Sequence, residues 1–201
     1  MKFKHKILFI SFSLFFLTGC FTTNSYVDPS FGKSSYNDIK SVDERYRLEV
    51  FTEFQRNGKT LAYPVLQTNV ERVLRASGIL IPSKGSDHSI TVIVNNIANM
   101  GEAAAKGFGT GFTFGLIGTK VTDYYELKIS YTDSEGSTTL RNYKHAIHST
   151  IGNAQGPAGV IADTPDNAFF KVIEEILLNF ISDMQNINKL SKSPLDQDIL
   201  S

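Results

Sequence analysis

The order of periodicities along the chain predicts an α+β fold: a two-layer α/β sandwich with a four-stranded mixed sheet and two helices on one face, in the order β-α-β-β-β-α. Three observations carry this expectation. Four stretches alternate between apolar and polar residues or are rich in β-branched ones. Two others repeat apolar residues at helical spacing on one side only. Each element therefore has one face to bury, and two layers is the simplest arrangement that buries them all.

The first strand is "YRLEVFTEFQ" (46–55), with Leu48, Val50 and Phe54 on one face and Arg47, Glu49 and Glu53 on the other. The following "YPVLQTNVERVLRASG" places Leu66, Val70, Val73 and Leu74 on one helix face, with Pro64 suited to a first turn and Gly78 to a stop. "SITVIVNNI" (89–97) is β-branched and alternating. "DYYELKISYTD" (123–133) turns Tyr125, Leu127, Ile129 and Tyr131 inward and Glu126, Lys128 and Ser130 outward. "SEGS" is a turn, and "TTLRNYKHAIHSTI" (138–151) is a fourth strand with looser alternation. Thr164-Pro165-Asp166 supplies a cap, a first-turn proline and an early acid for a long helix. Its stripe is Phe169, Ile173, Ile176, Leu177, Phe180 and Met184. The last three strands read as a meander, and Phe51 and Ile93 fall on the outer sheet face as a small sticky patch.

The start of the chain decides where the protein goes. Lys2, Lys4 and Lys6 precede an uncharged run from Ile7 to Leu17. That run is shorter than the ~20 residues a spanning helix needs, and it fits a secretory signal over residues 1–19. It ends in Leu17-Thr18-Gly19-Cys20, which resembles the lipobox of bacterial lipoproteins. The resemblance implies acylation of Cys20 and cleavage just before it. In such lipoproteins an Asp after the Cys goes with inner-membrane retention, so Phe21 points to the outer membrane. Cys20 is the only cysteine, which excludes an intrachain disulfide. Cleavage leaves 17 basic against 20 acidic side chains, a net of −3, and no basic excess to attract nucleic acid.

Residues 20–44 are dominated by Ser, Thr, Asn and Asp after the lipidated Cys and read as a flexible tether. Residues 45–187 form a single periplasmic domain, and 188–201 read as a disordered tail. No metal or cofactor is expected. His145 and His148 in H-x-x-H face opposite sides of a strand, and His88 is the only other histidine after the signal. Ser86-Asp87-His88 are consecutive and suit a turn better than a triad. Glu174 and Glu175 are expected to solvate the outer face of the long helix.

The stretch "GFGTGFTFGLIG" (107–118) holds five glycines and three phenylalanines and no charge. Neither the dinucleotide fingerprint nor the P-loop fits: Phe112 and Phe114 stand where glycine is needed, and Thr119-Lys120 reverses the Lys-Thr order. Gly107, Gly111 and Gly115 form a small-xxx-small stripe, yet the same residues also alternate like a strand. An isolated helix with these glycines would lose about 1 kcal/mol at each. Three readings stay open: a long connection folded over its own body, an apolar element that docks on a partner or the membrane, and true insertion. The candidate contact residues are Phe108, Gly111, Phe112, Phe114, Gly115 and Leu116.

The segments "AAAKGFGTGFTFGLIG", "TDYYE" and "HSTIGNAQGPAG" resemble an uncharacterised family of proteobacterial outer-membrane lipoproteins. That resemblance implies an outer-membrane lipoprotein and carries no established activity. The expected partners are the membrane, through the lipid anchor, and an envelope protein. The expected role is non-catalytic binding in envelope assembly or maintenance; the alternative is a membrane-active homo-oligomer associating through 107–118.

Overall fold

The structure, a computed structural model, describes residues 23–98, 119–152, 154–156 and 158–190. In chain order the elements are β1 (Thr23–Val27), β2 (Tyr46–Arg56), β3 (Lys59–Leu61), α1 (Val65–Ala76), β4 (Leu80–Pro82), β5 (Ser89–Ala98), β6 (Thr119–Thr132), β7 (Thr138–Ile151) and α2 (Pro165–Asn186). The fold is α+β with two helices and a mixed sheet, as expected, but the sheet has seven strands where four were predicted. Its order is β1-β7-β6-β5-β2-β3, and β4 also pairs with β2. β2 and β5 are parallel across the helical crossover, whereas β5, β6 and β7 form the antiparallel meander.

The three additional strands have physical reasons to escape a pattern search. β3 and β4 are three residues long, too short to show a period. β1 turns Ser25 inward, where its hydroxyl meets that of Ser149 at 2.8 Å, so a polar pair stands where an apolar residue is looked for. The β2–β3 hairpin closes on Asn57 and Gly58, both at positive φ, the backbone that a two-residue turn of matching twist requires.

One continuous core joins the inward residues of β2, β5, β6 and β7 to both helices. Leu66, Val70, Val73 and Leu74 of α1 are buried, as their spacing predicts. So are Tyr125, Leu127, Ile129 and Tyr131 of β6. α2 begins as expected: the Thr164 hydroxyl accepts from Asn167 N–H and Pro165 opens the first turn. Its stripe from Phe169 to Met184 is buried, with Leu177 and Phe180 fully enclosed.

The expected tether is part of the body. After β1, residues 28–40 form a strap along α2. Asn179 donates to Gly32 O (2.8 Å) and accepts from Ser34 N–H (2.5 Å). Gln185 does the same to Lys40, donating to its carbonyl (2.7 Å) and accepting from its N–H (2.9 Å). Each carboxamide turns one N–H and its oxygen to the strap, so it satisfies backbone groups there much as a neighbouring strand would, and Gln185 uses its second N–H on Leu190 O at 3.3 Å. The start of the expected tail is also fixed: Leu190 is fully buried, and Lys189 pairs with Asp133 at 2.9 Å. Residues 191–201, the signal and Cys20 lie outside the described residues.

Truncating the α2 stripe tests the packing. Leu177→Ala and Phe180→Ala should each cost about 2–5 kcal/mol through lost contacts and a residual cavity. Urea unfolding of the mature chain measures this, and an unchanged midpoint would remove α2 from the core.

Candidate functional site

The predicted contact residues Phe108, Gly111, Phe112, Phe114, Gly115 and Leu116 lie outside the described residues, as does Cys20. What the structure does describe is where the chain enters the sheet beside them. β7 pairs with β1 on one side and β6 on the other, and Ile151 stands opposite both Thr23 and Thr119. The chain arriving from Cys20 and the chain arriving from 107–118 therefore enter at the same end. They are two strand spacings apart, about 10 Å.

A buried polar side-chain cluster sits where the strap crosses β7 and α2. His145 points from β7 toward α2 and is 1% exposed. Ala146 N–H donates to its Nδ1 at 2.9 Å, which assigns the ring proton to Nε2. Nε2–H then donates to Glu175 Oε2 at 3.1 Å. Phe31 of the strap stacks on the imidazole with centroids 4.8 Å apart. The second oxygen of Glu175 lies 3.8 Å from Lys33 Nζ, beyond hydrogen-bond reach but within ion-pair range. Glu175, expected on a solvated face, is only 7% exposed because the strap covers it. Glu174 beside it accepts a hydrogen bond from the Tyr36 phenol at 3.0 Å, and burial with that carboxylate raises the phenol pKa to about 12.

Glu175 forms part of the wall of a cavity of about 310 Å³, together with Val27, Phe31, Lys33, Ile161 and Lys171. The lining has no hydroxyl or thiol nucleophile. His145 stands behind Glu175 and does not line the cavity itself, so the buried imidazole orients a carboxylate that does. A second, more open cavity of about 270 Å³ lies over Phe54, Tyr63, Tyr125 and Phe169, with Arg56 and Asp166 at its edge. Among the described residues no group of three or more His, Cys, Asp or Glu is placed to hold a metal ion.

His148 works on the other face of β7. Its Nδ1 meets Thr122 Oγ1 at 2.9 Å and its Nε2 meets Asp28 Oδ2 at 3.1 Å. H-x-x-H thus serves two sides, as strand geometry requires. Burial alone would raise the Asp28 carboxyl. Hydrogen bonds from Ser30 and His148, with the imidazolium charge, outweigh burial and hold it below the usual range. His88 lies in the turn before β5, with Nδ1 2.8 Å from the Tyr131 phenol. Burial, followed by the nearby Tyr46 and Asp133, pushes that phenol well up.

In comparisons with known proteins, no family model matches the chain, and no curated protein matches it.

Two predictions follow from this geometry. Glu175→Leu leaves the buried Nε2–H of His145 without an acceptor and should cost roughly 1–3 kcal/mol in urea unfolding. Glu175→Gln keeps an acceptor oxygen and should recover most of that loss; equal losses would show that the hydrogen bond is not what matters.

A depressed carboxyl contributes stability that is present above the ordinary carboxylate range and disappears as pH falls through the depressed value. Asp28→Asn should therefore be less stable than the native chain above about pH 5, with the gap closing toward about pH 2. A gap independent of pH across that window would contradict the depression of Asp28 by Ser30 and His148.

Proposed function

We propose that the protein is an outer-membrane lipoprotein, acylated on Cys20, whose non-catalytic periplasmic body binds protein partners in envelope assembly or maintenance. The lipobox and the resemblance to proteobacterial lipoproteins support the anchor. Among the described residues no helix is long and apolar enough to cross a membrane. The observation that carries partner binding is the open sheet face. Both helices pack on the other side, and the register row Phe51–Thr91–Ser130–Leu140 ends in two apolar side chains that are 50% and 53% exposed. Ile93 lies one row on, between Glu53 and Lys128. The glycine-rich segment, with Phe108, Phe112 and Phe114 on a thin glycine backbone, is the second contact element in this reading.

A second reading, the membrane-active oligomer, draws support from the shared entry of Thr23 and Thr119 opposite Ile151, since a segment joining the sheet beside the anchor lies near lipid.

Affinity purification of the acylated protein from its native envelope, with partner identification, tests both. Phe112→Asp combined with Phe114→Asp, or Phe51→Asp combined with Leu140→Asp, should leave the melting temperature nearly unchanged and abolish co-purification of an envelope protein. Loss of self-association alone, with permeability changes in native vesicles, favours the oligomer. Intact co-purification in both double variants would defeat the contact assignment.

A further inference from the structure

We infer that the cavity of about 310 Å³ between the strap, residues 159–163 and α2 binds a small zwitterion with an apolar portion. Its primary ammonium meets Glu175, and its carboxylate or phosphate, a few ångströms away, meets Lys33 and Lys171. An apolar α-amino acid and an ethanolamine phosphate headgroup share this chemistry. The inference uses only side chains of the folded body and does not depend on the lipoprotein reading.

The buried carboxylate is the first argument. Glu175 is 7% exposed and lines the cavity. His145 holds it from behind, donating from Nε2–H to Oε2. The imidazole accepts from Ala146 N–H at Nδ1, so it is neutral and leaves the carboxylate charge uncancelled. Oε1 turns toward Lys33, which also lines the cavity, but Nζ stands 3.8 Å away. That is beyond hydrogen-bond reach, and Oε1 has no donor among the described residues. A buried acceptor fixed in place at a cavity wall is a site for a ligand donor, and an ammonium gives such an oxygen its strongest hydrogen bond.

The two lysines are the second. Lys33 of the strap and Lys171 of α2 both line the cavity and are exposed. Lys171 stands one turn before Glu175, yet it makes no hydrogen bond or ion pair among the described residues. The other two acids of the lining are already engaged. Asp28 accepts from Ser30 N–H and meets His148, and Asp163 accepts from Thr164 N–H and the Asn167 side chain. The lysine charges are therefore open to an anion. An anion alone would also face three carboxylates, and a cation alone would face both lysines. A ligand carrying both charges sets each against its opposite.

Shape is the third. Phe31, which stacks on His145, and Ile161, which is 89% exposed, belong to the same lining. An apolar group on the ligand would cover side-chain area that water now touches. The volume lies at the small end of the range for ligand cavities, roughly 300–1,000 Å³. The ligand is therefore of the size of one amino acid or one headgroup.

The test is calorimetric titration of the mature chain carrying Cys20→Ser, which needs no detergent and leaves the cavity untouched. L-Leucine and dihexanoyl-phosphatidylethanolamine carry both charges. Leucinamide lacks the anion; N-acetyl-leucine and dihexanoyl-phosphatidylglycerol lack the ammonium. At least one zwitterion should bind about tenfold more tightly than its single-charge counterparts. Binding of leucine assigns a free amino acid, and binding of the phosphatidylethanolamine alone assigns the headgroup. Lys171→Met should narrow the preference over leucinamide, and Glu175→Gln the preference over N-acetyl-leucine or the phosphatidylglycerol. The urea midpoint of Lys171→Met should stay at the native value, which separates lost binding from lost folding. No binding of either zwitterion at millimolar concentration overturns the inference. So does a single-charge counterpart that binds as tightly, or binding that both substitutions leave unchanged.

Discussion

The register between β6 and β7 is the constraint on which the rest of the molecule depends. The two strands pair along their whole length, from Thr119↔Ile151 to Thr132↔Thr138. A slip of one residue would turn every side chain of the moving strand to the opposite face. Tyr125, Leu127, Ile129 and Tyr131 would leave the core. Tyr143 would lose Asp183, which accepts from its phenol at 2.6 Å, and His145 would lose Glu175. The same register sets the end of the sheet, because β1 pairs with β7 and inherits its level from it.

The strap makes the start of the chain part of that structure. A polar segment cannot be held by burial, so α2 holds it with side chains whose donors and acceptors match a backbone. Asn179 and Gln185 each grip one stretch, and Tyr36, Phe31 and Lys33 fasten it at Glu174, His145 and Glu175. The buried Glu175 follows from this. It faces His145 of β7 on one side and Lys33 of the strap on the other. Its charge is tolerable there because His145 donates to one oxygen and Lys33 stands near the other.

Much of the fold was legible in the sequence, and the remainder was not for identifiable reasons. The β6 alternation and both helix stripes were clear because each buries a continuous apolar face. β1 shows no strand pattern because "TNSYV" is polar at an edge position and its inward Ser25 is satisfied by Ser149. The Asn57-Gly58 pair is a strong hairpin signal that would have revealed β3. Asn179, Gln185 and Glu175 carry no local signal at all, since their role depends on a segment more than a hundred residues away. The glycine-rich candidate site was visible as composition alone, and neither its composition nor its spacing selects among packing, docking and insertion.

The β6–β7 register also decides which apolar side chains stay outside the core. Residues one step from the inward set of β2, β5, β6 and β7 face away from both helices, and near the start of β7 that row runs Phe51–Thr91–Ser130–Leu140. Thr91 and Ser130 stand at its centre, so Phe51 and Leu140 are held apart on the two flanking strands and stay half exposed. Ile93, one row on, is flanked by Glu53 and Lys128. The charges keep this face from becoming one broad apolar surface, while the apolar side chains between them still offer area for contact.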